Sequence, residues 1–139
     1  MNFIKDEGRI GITEADILDF QRRFDIELPA DIKSFYLKYH GCKNYLCTFG
    51  ESEQYELSHF LKLTGQNSVE EIKKNENEDG FVSDRMIPFA MDRGGDYYYW
   101  NADDLKIYLI RSDEIETPIC LSNGFKEFCN MLNQSEIRK

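Results

Sequence analysis

The fifteen residues Met86–Trp100, MIPFAMDRGGDYYYW, constrain the fold of this chain more than any other stretch. An apolar run ending at Ala90 and an aromatic run starting at Tyr97 flank the short connection Asp92-Arg93-Gly94-Gly95-Asp96. Ile, Phe, Tyr and Trp suit a pleated, half-buried surface, so both flanks read as strands. Two adjacent glycines tolerate positive φ, the backbone geometry of a tight turn. The segment therefore reads as a hairpin, with Gly94 or Gly95 at positive φ and Asp92 and Asp96 held near the turn. Period two sends Tyr97 and Tyr99 to one face and Tyr98 and Trp100 to the other. One set is expected in the core. The other is a candidate exposed face, since Tyr and Trp are favoured anchors at protein contacts.

Helical signals bracket this centre. Thr13 is a good N-cap, with Glu14 and Asp16 in the first turn and Ile17, Phe20 and Phe24 at helical spacing. A second helix follows Leu28-Pro29, where Ile32, Phe35, Tyr36 and Tyr39 share one face and Gly41 supplies a C-cap. Ser68-Val69-Glu70-Glu71 has the form of a capping box for a short, polar helix to about Asn77. Ser122 can cap a last helix carrying Phe125, Phe128, Cys129 and Leu132, after which Gln134–Lys139 reads as a frayed tail.

The middle is strand-like, over Tyr45–Phe49, Tyr55 towards Leu63, Met86–Met91, Asp96–Asn101, Lys106–Arg111 and Ile119–Leu121. The strand connections are too short for helical crossovers, so the sheet is expected to be mostly antiparallel. Helices at both ends of a run of strands predict an α+β fold, with N-terminal and C-terminal helices flanking the sheet. A chain of 139 residues has the length of a single domain, here with its core over about residues 12–133.

Charge narrows the partners. Lys and Arg number 17 against 26 Asp and Glu, a formal charge of -9. Such a surface repels phosphate backbones, which disfavours direct nucleic-acid binding and favours a basic partner. No apolar run approaches the length of a membrane span, so no membrane association is expected. The start, MNFIKDEGRI, lacks the apolar stretch of a secretory signal, and Cys42, Cys47, Cys120 and Cys129 form no CxxC pair. The expectation is a cytoplasmic protein with reduced thiols.

No constellation for chemistry emerges. Asp92, Asp96, Asp103 and Asp104 are the densest carboxylates, but their spacing matches no metal loop, and Asp in turns commonly bonds local backbone. His40, Cys42, Cys47 and His59 have the ligand types of a zinc site without its spacing. Neither a GxSxG elbow nor a phosphate loop is present. No enzyme activity, metal or other cofactor is expected.

Three blocks carry a family resemblance. Ile12–Gly41, ITEADILDFQRRFDIELPADIKSFYLKYHG, looks like an N-terminal helix pair around an LPxD-type start. Ile87–Trp100, IPFAMDRGGDYYYW, is similar to an IPFAxDxGGD strand-turn-strand signature, and Ser122–Leu132, SNGFKEFCNML, to a closing SFxEFLxxL helix. In this order they resemble the SUKH superfamily, which includes bacterial immunity proteins and fungal regulators of cell-wall synthesis. The resemblance implies a domain that binds protein rather than transforming a substrate. An immunity protein occludes a cognate toxin, a basic nuclease being one such class, and an acidic surface suits that task by steering a basic partner. Asp92, Asp96, Tyr98, Asp103 and Asp104 are the expected contact residues. The alternative is a regulatory scaffold for cell-wall (glucan) synthesis.

Overall fold

The structure is a computed structural model describing residues 1–134 and 136–138. Helix α1 (Glu14–Phe24) starts where Thr13 and Asp16 cap each other. Thr13 Oγ1 accepts from Asp16 N at 3.1 Å, and Asp16 Oδ2 accepts from Thr13 N at 2.9 Å. These bonds hold the Asp16 carboxyl below its ordinary pKa. Helix α2 (Ala30–Tyr39) begins directly after Pro29 and buries Ile32, Phe35 and Tyr36. Its end turns sharply at Gly41, with φ 79° and Ile10 packed so close that a Cβ would meet it at 3.0 Å. Only glycine fits there.

Two antiparallel sheets follow. Strands β1 (Leu46–Phe49) and β2 (Tyr55–Leu57) pair through a short connection that includes a 3-10 turn at Glu51–Glu53. Strands β3 (His59–Phe60), β4 (Met86–Met91), β5 (Tyr97–Asn101), β6 (Ile107–Ile110) and β7 (Ile119–Ser122) lie side by side in sequence order. Helix α3 (Val69–Asp79) lies against β4, and helix α4 (Phe125–Gln134) packs against α2, β1 and β7. The fold is α+β with antiparallel pairing, as the connection lengths predict, but the strands divide into two sheets where one was expected.

The core lies where α4 meets both sheets. The Phe128 ring stands edge-on to Phe49 of β1 at 5.5 Å and to Phe89 of β4 at 5.6 Å. Phe125 does the same to Phe35 of α2 at 5.3 Å. Edge-to-face pairs of this kind add about 0.5–1.5 kcal/mol each beyond the area they bury. Phe20, Phe35, Phe89, Leu109, Phe125, Phe128 and Leu132 are buried, while Phe24 and Tyr39 sit at the margin, half-buried. A β-bulge between Pro88 and Ala90 turns the adjacent Phe89 and Ala90 into the same core.

Three expectations need correction. The packed region starts before residue 12, because Phe3 is fully buried and Ile4 bridges Asn44. Residues Glu136–Arg138 form β8 on β1, with Cys47 opposite Ile137, where a frayed tail was expected; Ser135 and Lys139 lie outside the described residues. A free edge on β1 offers unpaired backbone groups, which a following segment can satisfy. Ser122 does not cap α4, since its Oγ donates to Gly124 O at 2.8 Å and the helix begins at Phe125. The polar helix α3 also buries Lys73, whose Nζ donates to Asp84 O at 2.5 Å.

Candidate partner-binding surface

The Asp92–Asp96 turn is built by its own side chains. Asp92 N donates to Asp96 O at 3.0 Å, Gly95 N to Asp92 O at 3.3 Å, and Asp96 N to Asp92 Oδ1 at 2.9 Å. Gly95 takes φ 91°, and Gly94 stays out of the left-handed region. Asp96 also reaches sideways. Its Oδ1 accepts from Ser112 N at 2.9 Å, and its Oδ2 faces Arg111 Nη1 at 3.8 Å. With its side chain only 15% exposed, Asp96 ties this turn to the end of β6.

The second acidic turn follows the same logic. Asn101 Oδ1 accepts from Asp103 N at 2.8 Å and from Asp104 N at 3.2 Å. Asp104 accepts from Lys106 N at 2.9 Å and from the Tyr108 hydroxyl at 2.7 Å. That bond, more than burial, pushes the Tyr108 phenol up to about 12. Asp103 pairs with Arg85 Nε at 2.9 Å and stays exposed. The two turns cap opposite ends of β5, separated by roughly 15–20 Å at about 3.4 Å per strand residue. The four aspartates therefore make two distinct corners. The strand predicted over Asp96–Asn101 holds them apart.

Tyr98 does not belong to the surface. It is 1% exposed, with its hydroxyl donating to Glu56 O at 2.5 Å, and burial drives its phenol far above the usual range. As a contact residue it is corrected: Tyr98 and Trp100 are the core set, packed with Ile107 and Leu109. The opposite set is no open face either. Tyr99 is buried beside Met86 and Ile110, and its hydroxyl donates to the Glu76 carboxylate of α3. Loop residues Val82 and Ile115 fold over this outer face, leaving Tyr97 and Tyr108 half-buried.

A cleft of about 370 Å³ separates the sheets near the first turn, lined among others by Thr48, Glu56, Asp92, Arg93 and Arg111. Its guanidiniums face acids already in place, Arg93 on Glu56 and Arg111 on Asp96. No signal in the sequence marks the Arg93–Glu56 pair, because 37 residues separate its partners.

The histidine and cysteine set is dispersed. His40 Nδ1 donates to Ile10 O at 2.9 Å while its Nε2 accepts from Leu63 N at 2.9 Å, which fixes a neutral tautomer. Cys47 is buried in the core and His59 is exposed. Among the described residues, no three His, Cys, Asp or Glu side chains gather to hold a metal ion.

Comparison with known families decides the affiliation. The model of the SMI1 / KNR4 family (SUKH-1) matches residues 11–131, most of the chain. The chain belongs to the SUKH-1 family. Members of SUKH-1 bind partner proteins and are generally non-enzymatic. The match begins before the capping box of α1 and runs into α4, so it takes in both acidic turns and the inter-sheet cleft. No curated protein matches the sequence. Among the described residues, no helix of this SUKH-1 chain is long and apolar enough to cross a membrane.

Proposed function

We propose that this chain is an immunity protein, a single domain that binds and neutralises one cognate toxin in the cytoplasm without catalysis. Membership of SUKH-1 over residues 11–131 carries the reading. The formal charge of -9 supports a basic toxin, such as a nuclease, because an acidic surface steers basic partners and imitates a nucleic-acid substrate. Occlusion needs a rigid surface rather than reactive groups, which agrees with acids held in fixed turns.

The proposed contacts are the acids of the two turns, Asp92 and Asp96 at one end of β5 and Asp103 and Asp104 at the other. Asp103 is paired with Arg85 but keeps 67% of its side chain exposed, so part of its carboxylate still faces outward. Regulation of cell-wall synthesis as a scaffold is the alternative within the same family. Co-expression with a toxin-like polypeptide encoded beside this chain tests the reading. Restored growth together with a direct complex is expected. No complex and no rescue would refute it.

A further inference from the structure

Phe81 is 75% exposed, more than any other large hydrophobic side chain among the described residues. It stands directly after Gly80, whose φ of 73° closes α3. Beside it runs a groove of about 630 Å³, whose other wall is the loop of residues 112–117. That loop is held by two successive turns, Glu114 N to Arg111 O at 3.0 Å and Thr117 N to Glu114 O at 3.1 Å. Ile115 anchors it from below on Met86, Tyr99 and Ile110. The groove thus has an aromatic wall and a fixed apolar floor.

Its rim is acidic without compensation. Three of its lining residues, Asp113, Glu114 and Glu116, are carboxylates, and none is Lys, Arg or His. Asp113, Glu114 and Glu116 are exposed and take part in no ion pair among the described residues. They differ in this from Asp96 and Asp103, which are paired to arginines.

We propose that this groove docks a basic segment of the partner protein, with an apolar side chain against Phe81 and Lys or Arg side chains reaching Asp113, Glu114 and Glu116. The inference rests on the chain being a partner-binding protein and adds a second contact surface to the two acidic turns. An aromatic ring is an efficient anchor at a protein contact. Carboxylates around it reward cations and repel acids, which sets the sign of the occupant. A second copy of this chain would bring the same charge of -9 to the contact, so it does not fit.

The test is selection of a random 12-residue peptide library on the full chain, followed by affinity measurements with the enriched peptides. The expected peptides carry net positive charge and at least one aromatic or large aliphatic residue. Their affinity is expected to fall at least about tenfold for Phe81→Ser and for the pair Glu114→Lys/Glu116→Lys. It is expected to weaken as salt rises and to be unchanged for the surface control Glu27→Lys. No enrichment, enriched peptides without net positive charge, or full affinity in Phe81→Ser would each overturn the proposal. The selection uses no toxin, so its outcome is separable from that of the immunity reading.

Discussion

Arg93 and Glu56 lock the two sheets together. Arg93 Nε lies 3.1 Å from Glu56 Oε1 and Nη2 lies 2.9 Å from Oε2, while the Arg93 backbone N–H also donates to Oε1 at 3.1 Å. These bonds to Glu56 raise the pKa of the guanidinium, with the carboxylate charge adding to the effect. One side chain at the tip of the β4–β5 turn thus fixes that hairpin to β2. A paired fork of this kind is specific to arginine. Arg93→Lys is therefore expected to lower the melting temperature nearly as much as Arg93→Ala. In a double-mutant cycle with Glu56→Gln, the coupling is expected to weaken as salt rises.

The two glycines of the turn are expected to respond differently. Gly95→Ala places a Cβ in open space but at φ 91°, so the backbone alone is strained. A loss of about 1–2 kcal/mol is expected by urea unfolding. Gly94→Ala meets only Asp92 Oδ1 at 3.4 Å and is expected to stay within about 0.5 kcal/mol of wild type. Equal losses at the two positions would contradict the turn geometry.

Tyr98 is expected to behave as a core residue. Tyr98→Phe removes the bond to Glu56 O and is expected to cost about 0.5–1.5 kcal/mol. Tyr98→Ala is expected to cost about 3–5 kcal/mol through the cavity it leaves. Because the ring is 1% exposed, Tyr98→Phe is expected to leave partner affinity unchanged in a direct binding assay.

Acid is expected to destabilise the fold partly through His40. Burial is the main cause that depresses its pKa, and Nε2 already accepts from Leu63 N. The folded state thus binds a proton less readily than the unfolded chain, whose histidine titrates near about 6.5. Stability is therefore complete above that value and declines as pH falls through it towards the folded pKa. Urea midpoints measured from pH 7.5 to 5 are expected to fall, and to fall less steeply in His40→Gln. Partial desolvation of the largely exposed His59 shifts it in the same direction, so a smaller slope is expected to remain.

Local signals account for what the sequence revealed. The Thr13 cap, the Ser68 cap and the Asp92–Asp96 turn each depend on residues within a few positions of one another, and all three stand in the structure. Antiparallel pairing followed from short connections. What stayed hidden depends on distant chain. Tyr98 and Tyr99 alternate as strand residues must, but only α4 on one side and α3 with two loops on the other decide that both are buried. Nothing local marks Lys73 of the polar helix α3 as buried, because its acceptor, Asp84 O, comes from the loop beyond. The four aspartates looked like one cluster because sequence distance does not record that a strand runs straight.

The most direct test of the central claim is a titration of the purified chain into the activity assay of a toxin-like protein encoded beside it. Neutralisation by occlusion predicts that activity falls linearly and ends at one equivalent of this chain per toxin. Undiminished activity at several equivalents would contradict binding, and complete inactivation far below one equivalent would reveal turnover and contradict a non-catalytic role.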